Sequence, residues 1–146
     1  MHKRRAILTA LKAQIDAIAA TPFGAACKIQ RVPPAQNAMP TVTLFSESET
    51  VEHTTIDAAP RPQSRALTIS VNVWLRGGSD PADGQDAEIK MDDYAELVEQ
   101  TLAKPAGVDD LRLVSTEYRE DDADPDTYVV ALTYVVDYRT TERNPF

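Results

Sequence analysis

The order of helical and strand periodicities along the chain predicts an α+β domain. It is a largely antiparallel mixed sheet with two helices packed on one face, in the order α-β-β-β-β-α-β-β. Three observations carry this expectation. Residues 4–20 and 85–103 repeat apolar side chains every three or four positions, the period of a helix with one buried face. The stretch RALTISVNVWLR alternates between two faces along its whole length, the period of a strand. The chain closes on two further alternating runs, DLRLVSTEYRE and DTYVVALTYVVDYRT, joined by the aspartate-rich turn DDADPD.

In the first helix Ile7, Leu8, Leu11, Ile15 and Ile18 share a face, alanines fill the gaps, and Pro22 and Gly24 of TPFG end it. CKIQRV reads as a short strand stopped by Pro33 and Pro34, and TVTLF as another. VEHTTID, rich in β-branched and charged residues, reads as a separate edge strand. APRPQS is a proline-bearing turn before RALTISVNVWLR, whose Leu67, Ile69, Val71, Val73 and Leu75 form the inward face. GGSDPADG is a loop leading into the second helix, with Ala87, Met91, Tyr94, Val98 and Leu102 inward and Pro105 and Gly107 past its end. In the last strand Tyr128, Val130, Leu132, Tyr134, Val136 and Tyr138 share one face, while the other is smaller and becomes polar towards Asp137 and Arg139. Read as one strand, 126–141 spans roughly 45 Å at about 3.3 Å per residue. A globule of this size has a radius of gyration near ~15 Å, so the strand outruns its own core and points to a neighbour. The partly polar second face of the sheet is a further candidate contact surface.

A length of 146 residues is that of one domain. The net charge of −8 and pI near 4.7 exclude a specific nucleic-acid binder, which needs cationic surface to displace counterions. The longest apolar run, YVVALTYVV, is far short of the ~20 residues of a membrane helix, and Lys12, Gln14 and Asp16 interrupt any signal-peptide core. The single cysteine, Cys27, excludes an internal disulfide and suits a reducing cytoplasm; it reads as a small buried apolar residue. His2 and His53 stand apart from any nucleophile motif, and neither a G-x-S-x-G elbow nor a glycine-rich phosphate loop is present, so no catalytic residue and no cofactor is expected. The alternating acids Asp80, Asp83 and Asp86, and Asp122, Asp124 and Asp126, lack the later glutamate and flanking helices of a calcium loop. They read as solvated turn and N-cap acids, with no metal.

Charge is unevenly placed. Residues 1–31 hold Lys3, Arg4, Arg5, Lys12, Lys28 and Arg31 against Asp16 alone, and most acids fall in 80–126. Basic and acidic ends that meet on neighbouring copies make Arg4, Arg5, Lys12 and Arg31, with Asp137 and Arg139 on the closing strand, candidate subunit-interface residues.

The strand RALTISVNVWLR, the helix DAEIKMDDYAELVEQTLA and the closing DTYVVALTYVVDYRTTE, in this element order, resemble the tail terminator proteins of long-tailed bacteriophages, the lambda gpU-like family. The resemblance spans nearly the whole chain as element order rather than a strict motif. It implies a non-enzymatic virion protein, assembled in the host cytoplasm and placed at the head-proximal end of the tail. Its copies form a homohexameric ring that caps the tail tube protein, ends polymerisation and receives a head-completion or neck protein, with DNA only in transit. A neck protein, or a small ligand-binding or enzymatic α+β domain, are the alternatives. In a ring that DNA must traverse, an acidic lumen lets the duplex slide, so Asp80, Asp83, Asp86, Asp122, Asp124 and Asp126 are candidate lumen or rim acids.

Overall fold

The computed structural model describes residues 3–18, 23, 26–35, 39–53, 62–76, 87–121 and 124–141. Helix α1 (Lys3–Asp16) is followed by strands β1 (Lys28–Ile29), β2 (Thr41–His53) and β3 (Pro62–Arg76). Helix α2 (Ala87–Thr101) then leads into β4 (Asp110–Asp121) and β5 (Asp124–Thr141). The five strands form one sheet in the order β1-β2-β3-β5-β4, parallel between β1 and β2 and antiparallel elsewhere. The α+β class and the two-helix, mixed-sheet layout are those the periodicities predict.

One difference lies in β2. TVTLF and the first three residues of VEHTTID, Val51 to His53, belong to a single strand, because a bulge between Ser46 and Ser48 adds one residue and shifts the alternation; residues 54–57 lie outside the described residues. Before the bulge Val42 and Leu44 pair with the inward Val73 and Val71; after it Glu49 and Val51 do so with Leu67 and Arg65. The chain alternation therefore breaks without the strand ending. The helices are shorter than their periodicity by a few residues at their C-terminal ends, and β5 is longer, running 18 residues from Asp124.

Both helices feed one core. Ile7, Leu11 and Ile15 of α1, and Met91, Ala95 and Val98 of α2, join the inward faces of β2, β3 and β5 in one buried cluster. At about 25 cal/mol per Å² of apolar surface removed from water, this burial is the main favourable term. Asp16 fixes the exit from α1: its carboxylate accepts from the Cys27 backbone N–H at 2.8 Å and from Lys12 Nζ at 2.6 Å. Gln14 ties the helices together, donating Nε2–H to the Ala103 carbonyl at 3.0 Å while its Oε1 accepts the Ala103 N–H at 2.8 Å. Gly107 turns the chain into β4 with φ of +82°, a conformation open to glycine.

The second sheet face is less accessible than its composition suggests. Thr43, Ser70, Asn72, Thr127, Val129 and Ala131 on it are all buried, and Trp74 Nε1–H donates to Thr43 Oγ1 at 2.8 Å. Two rows cross the entire sheet: Lys28, Thr43, Asn72, Ala131 and Glu117, and beside it Ile29, Leu44, Val71, Leu132 and Thr116.

Candidate functional site

The overlong strand has a defined use inside the protomer. Beyond the row of Ser46, Ile69, Tyr134 and Leu113, where both β2 and β4 bulge, β4 accompanies β5 only as far as Asp110 opposite Asp137, and β2, β3 and β5 run on as a three-stranded extension. Its helix side carries a polar network in place of aliphatic packing. Glu49, brought inward by the β2 bulge, pairs with Arg65 and accepts the Tyr138 hydroxyl at 2.6 Å. The Glu49 and Arg65 side chains are only 8% and 10% exposed. Arg65 also donates to Gln63 Oε1 at 2.9 Å and to Thr140 Oγ1 at 2.9 Å. Burial holds the Tyr138 hydroxyl well above its ordinary range, and its hydrogen bond to Glu49 adds to the shift. Buried charges are costly unless paired and hydrogen-bonded, and here Glu49 and Arg65 are both.

The first turn of α1 closes over the network. Arg4 Nε lies 3.9 Å from Glu49 Oε2, and Lys3 Nζ donates to the Arg139 carbonyl at 3.0 Å while sitting 5.9 Å from the centre of the Tyr138 ring. On the opposite side of the extension a groove of about 290 Å³ is lined by Thr50, Glu52, Ser64, Asp109, Asp137 and Arg139, among others.

The sequence-derived interface candidates fall in three places. Arg4, Asp137 and Arg139 gather at the extension. There Asp137 is paired with Arg112, and Arg139 Nε with Asp109 at 3.2 Å. Arg5 projects from the exposed face of α1, whereas Lys12 is held by Asp16, a hydrogen bond that raises its pKa. Arg31 lies at the opposite sheet edge, stacked 4.8 Å from the Phe45 ring centre and donating to the Ser46 carbonyl at 2.6 Å. Asp80, Asp83, Asp86 and Asp122 lie outside the described residues; Asp124 and Asp126 are in β5, and their side chains are outside the described set. The feature missed by sequence reading is the Glu49 network, concealed inside the charged stretch SESETVEH by a one-residue shift.

Cys27 is 2% exposed, and burial pushes its thiol up to about 12, far from a reactive thiolate. Among the described residues no group of three or more His, Cys, Asp or Glu could hold a metal ion, and no helix is long and apolar enough to cross a membrane.

What the chain does present is sheet edge. β4 is an edge strand exposed on both faces from Arg112 to Glu120. Seven large apolar side chains are strongly exposed among the described residues, and five lie on or just beyond the edge strands β1 and β4: Ile29, Val32, Leu113, Val114 and Tyr118; Val51 is on β2 past its pairing with β1, and Ile89 is on α2. Apolar exposure concentrated at sheet edges, beside a buried sheet interior, makes these edges candidate contact surfaces.

These elements make up an α+β domain with a strand extension and apolar side chains exposed at its sheet edges. No protein family model matches the chain, and no curated protein matches it in sequence. Among solved structures it is similar to a chain of the virion of a native gene transfer agent particle, with a TM-score of 0.56 and 16% identity. That likeness covers 92% of this chain and 95% of the other, so the two share the fold from end to end.

Proposed function

We propose that this protein is a structural component of a bacteriophage-type virion. In the finer reading it is a tail terminator whose copies close into a hexameric ring on the end of the tail tube. The observation that carries the reading is the end-to-end fold likeness to a chain of a gene transfer agent virion. The exposed edges and the buried polar extension support it, because both suit assembly. The ring ends tube polymerisation and presents a docking surface for the head, and it performs no catalysis. Its partners are further copies of itself, the tube protein and a head-completion protein, with DNA passing through.

Mass photometry and negative-stain electron microscopy of the purified protein, alone and with tube protein, test this. Six-membered rings seated on tube ends are expected. A strict monomer under every condition, including with tube protein, would sink the ring. Rings that ignore tubes but bind completed heads would move the protein to the neck.

A further inference from the structure

Resting on the ring reading, we propose how its copies join: the β4–α2 flank of one copy docks against the β1–α1 flank of the next, continuing the sheet across the contact. The occupant of each flank is a second copy of this chain, and four features point to it.

The two flanks are opposite ends of one sheet, and among the described residues no further strand pairs with either edge. β1 contributes only Lys28 and Ile29, and β4 lies at the other end of the strand order. Both carry exposed apolar side chains: Ile29 and Val32 at 42% and 63%, Val114 and Tyr118 at 50% and 51%. Surfaces of this kind exclude water best against one another.

Their charges are complementary. The α1 segment KRRAILTALKAQID has four cations and one acid, and it packs over β1 and β2. The α2 segment AEIKMDDYAELVEQT has five acids and one lysine, and it is linked to β4 by the hydrogen bond from the Tyr118 hydroxyl to Asp92 at 2.9 Å. A basic helix beside one edge and an acidic helix beside the other attract between copies and repel within like-to-like pairs. A head-to-tail contact follows, rather than a two-fold one.

Strand direction agrees. β2 is antiparallel to β3, β3 to β5 and β5 to β4, so β4 runs opposite to β2 and to the parallel β1. Rotation about an axis along the strands preserves these directions, and β4 meets the next copy's β1 antiparallel, the pairing with the more stable hydrogen-bond ladder.

Height agrees as well. The row that begins at Lys28 ends on the fifth strand, at Glu117, on the same face of the sheet. The neighbouring row runs from Ile29 to Thr116. Continuing the sheet level across the contact sets Lys28 of one copy beside Glu117 of the next, and Ile29 beside Thr116.

Charge reversal provides the test, since Lys28 and Glu117 are exposed and their replacement leaves the core intact, as circular dichroism would verify. Lys28→Glu and Glu117→Lys alone should each raise the protein concentration for half-assembly by roughly threefold or more, because attraction becomes repulsion at every contact. The double variant restores an opposite-charge pair at every contact and should return to within about twofold of the parent. Independently, Ile29→Cys combined with Thr116→Cys should give a covalent ladder ending at the ring size under mild oxidation, with the buried Cys27 silent. Rings that form normally in both single variants and yield no cross-link overturn the edge pairing and leave the ring reading standing. A chain that never forms rings, with or without tube protein, overturns both.

Discussion

At Glu49 a single carboxylate joins three strands and a helix, accepting from Tyr138 on β5, pairing with Arg65 on β3 and facing Arg4 on α1. Glu49→Ala leaves the Arg65 guanidinium buried without its counter-charge, at a cost of about 3–5 kcal/mol. Tyr138→Phe removes one hydrogen bond to a charged acceptor, at about 1.5–3 kcal/mol. Urea unfolding of the two variants should therefore rank Glu49→Ala as the more damaging; the reverse order would mean that the ion pair contributes little. The same interior also sets a pH limit. Burial pushes Cys27 up from 9.0 to about 12 and Tyr134 up from 10.0 to about 12, and raises Tyr138 further. Above those ordinary values the unfolded chain releases protons that the folded chain retains. The native state then binds more protons, and stability falls as pH rises, by up to about 1.4 kcal/mol per pH unit per group. The melting temperature should decline from near pH 9 upward, and Cys27→Val should remove the earliest part of the decline. A flat profile to about pH 11 would refute the assignment. Cys27 was legible as a buried residue from its isolation in the sequence. Glu49 was not, because a bulge changes which side chains face inward without leaving any mark in composition.

The two helices are held by a few polar contacts as much as by their apolar stripes. Ile7, Leu11 and Ile15, with Met91 and Val98, are the inward residues that the 3.6-residue period selects, and all five are buried. The helix ends were less legible. Apolar spacing continues through Ile18, but Asp16 captures the Cys27 N–H and turns the chain before that period runs out. Gln14, in the sequence merely a polar break in an apolar run, clasps both backbone groups of Ala103. Gln14→Glu keeps an acceptor for the Ala103 N–H but sets a charged oxygen against the Ala103 carbonyl. The cost should be roughly 1–3 kcal/mol, visible as a fall of several degrees in melting temperature. Gln14→Met, similar in length, should lose both hydrogen bonds without adding the repulsion and fall between the two. A Gln14→Glu protein as stable as the parent would show that the helices are fixed by apolar packing alone.

For the whole molecule, the class and layout were readable because β3, β5 and both helices keep an uninterrupted period over many residues. Which strands form the sheet edges was not readable, since an edge becomes an edge only once the strand order is known. The acids proposed for the ring's lumen, Asp80, Asp83, Asp86, Asp122, Asp124 and Asp126, belong to this scale. Each protomer carries −8, and charges gathered around a shared channel repel one another. Replacing Asp80, Asp83 and Asp86 by asparagine should let rings close at lower salt than the parent, because less repulsion is left to screen. Titrating sodium chloride in mass photometry reads this directly; an unchanged salt dependence would set these acids outside the channel.

The 18-residue β5 also has a mechanical meaning. It is bound to β3 from Thr127 to Thr141 on one side and to β4 from Asp124 to Asp137 on the other. A pull along its axis loads these hydrogen bonds together, in shear, whereas a pull across it opens them one at a time. In the proposed ring, a protomer standing with its strands along the ring axis would therefore be stiffest along that axis. The long strand that outruns the core would then serve as a tension member, and atomic-force pulling along and across it would measure the difference.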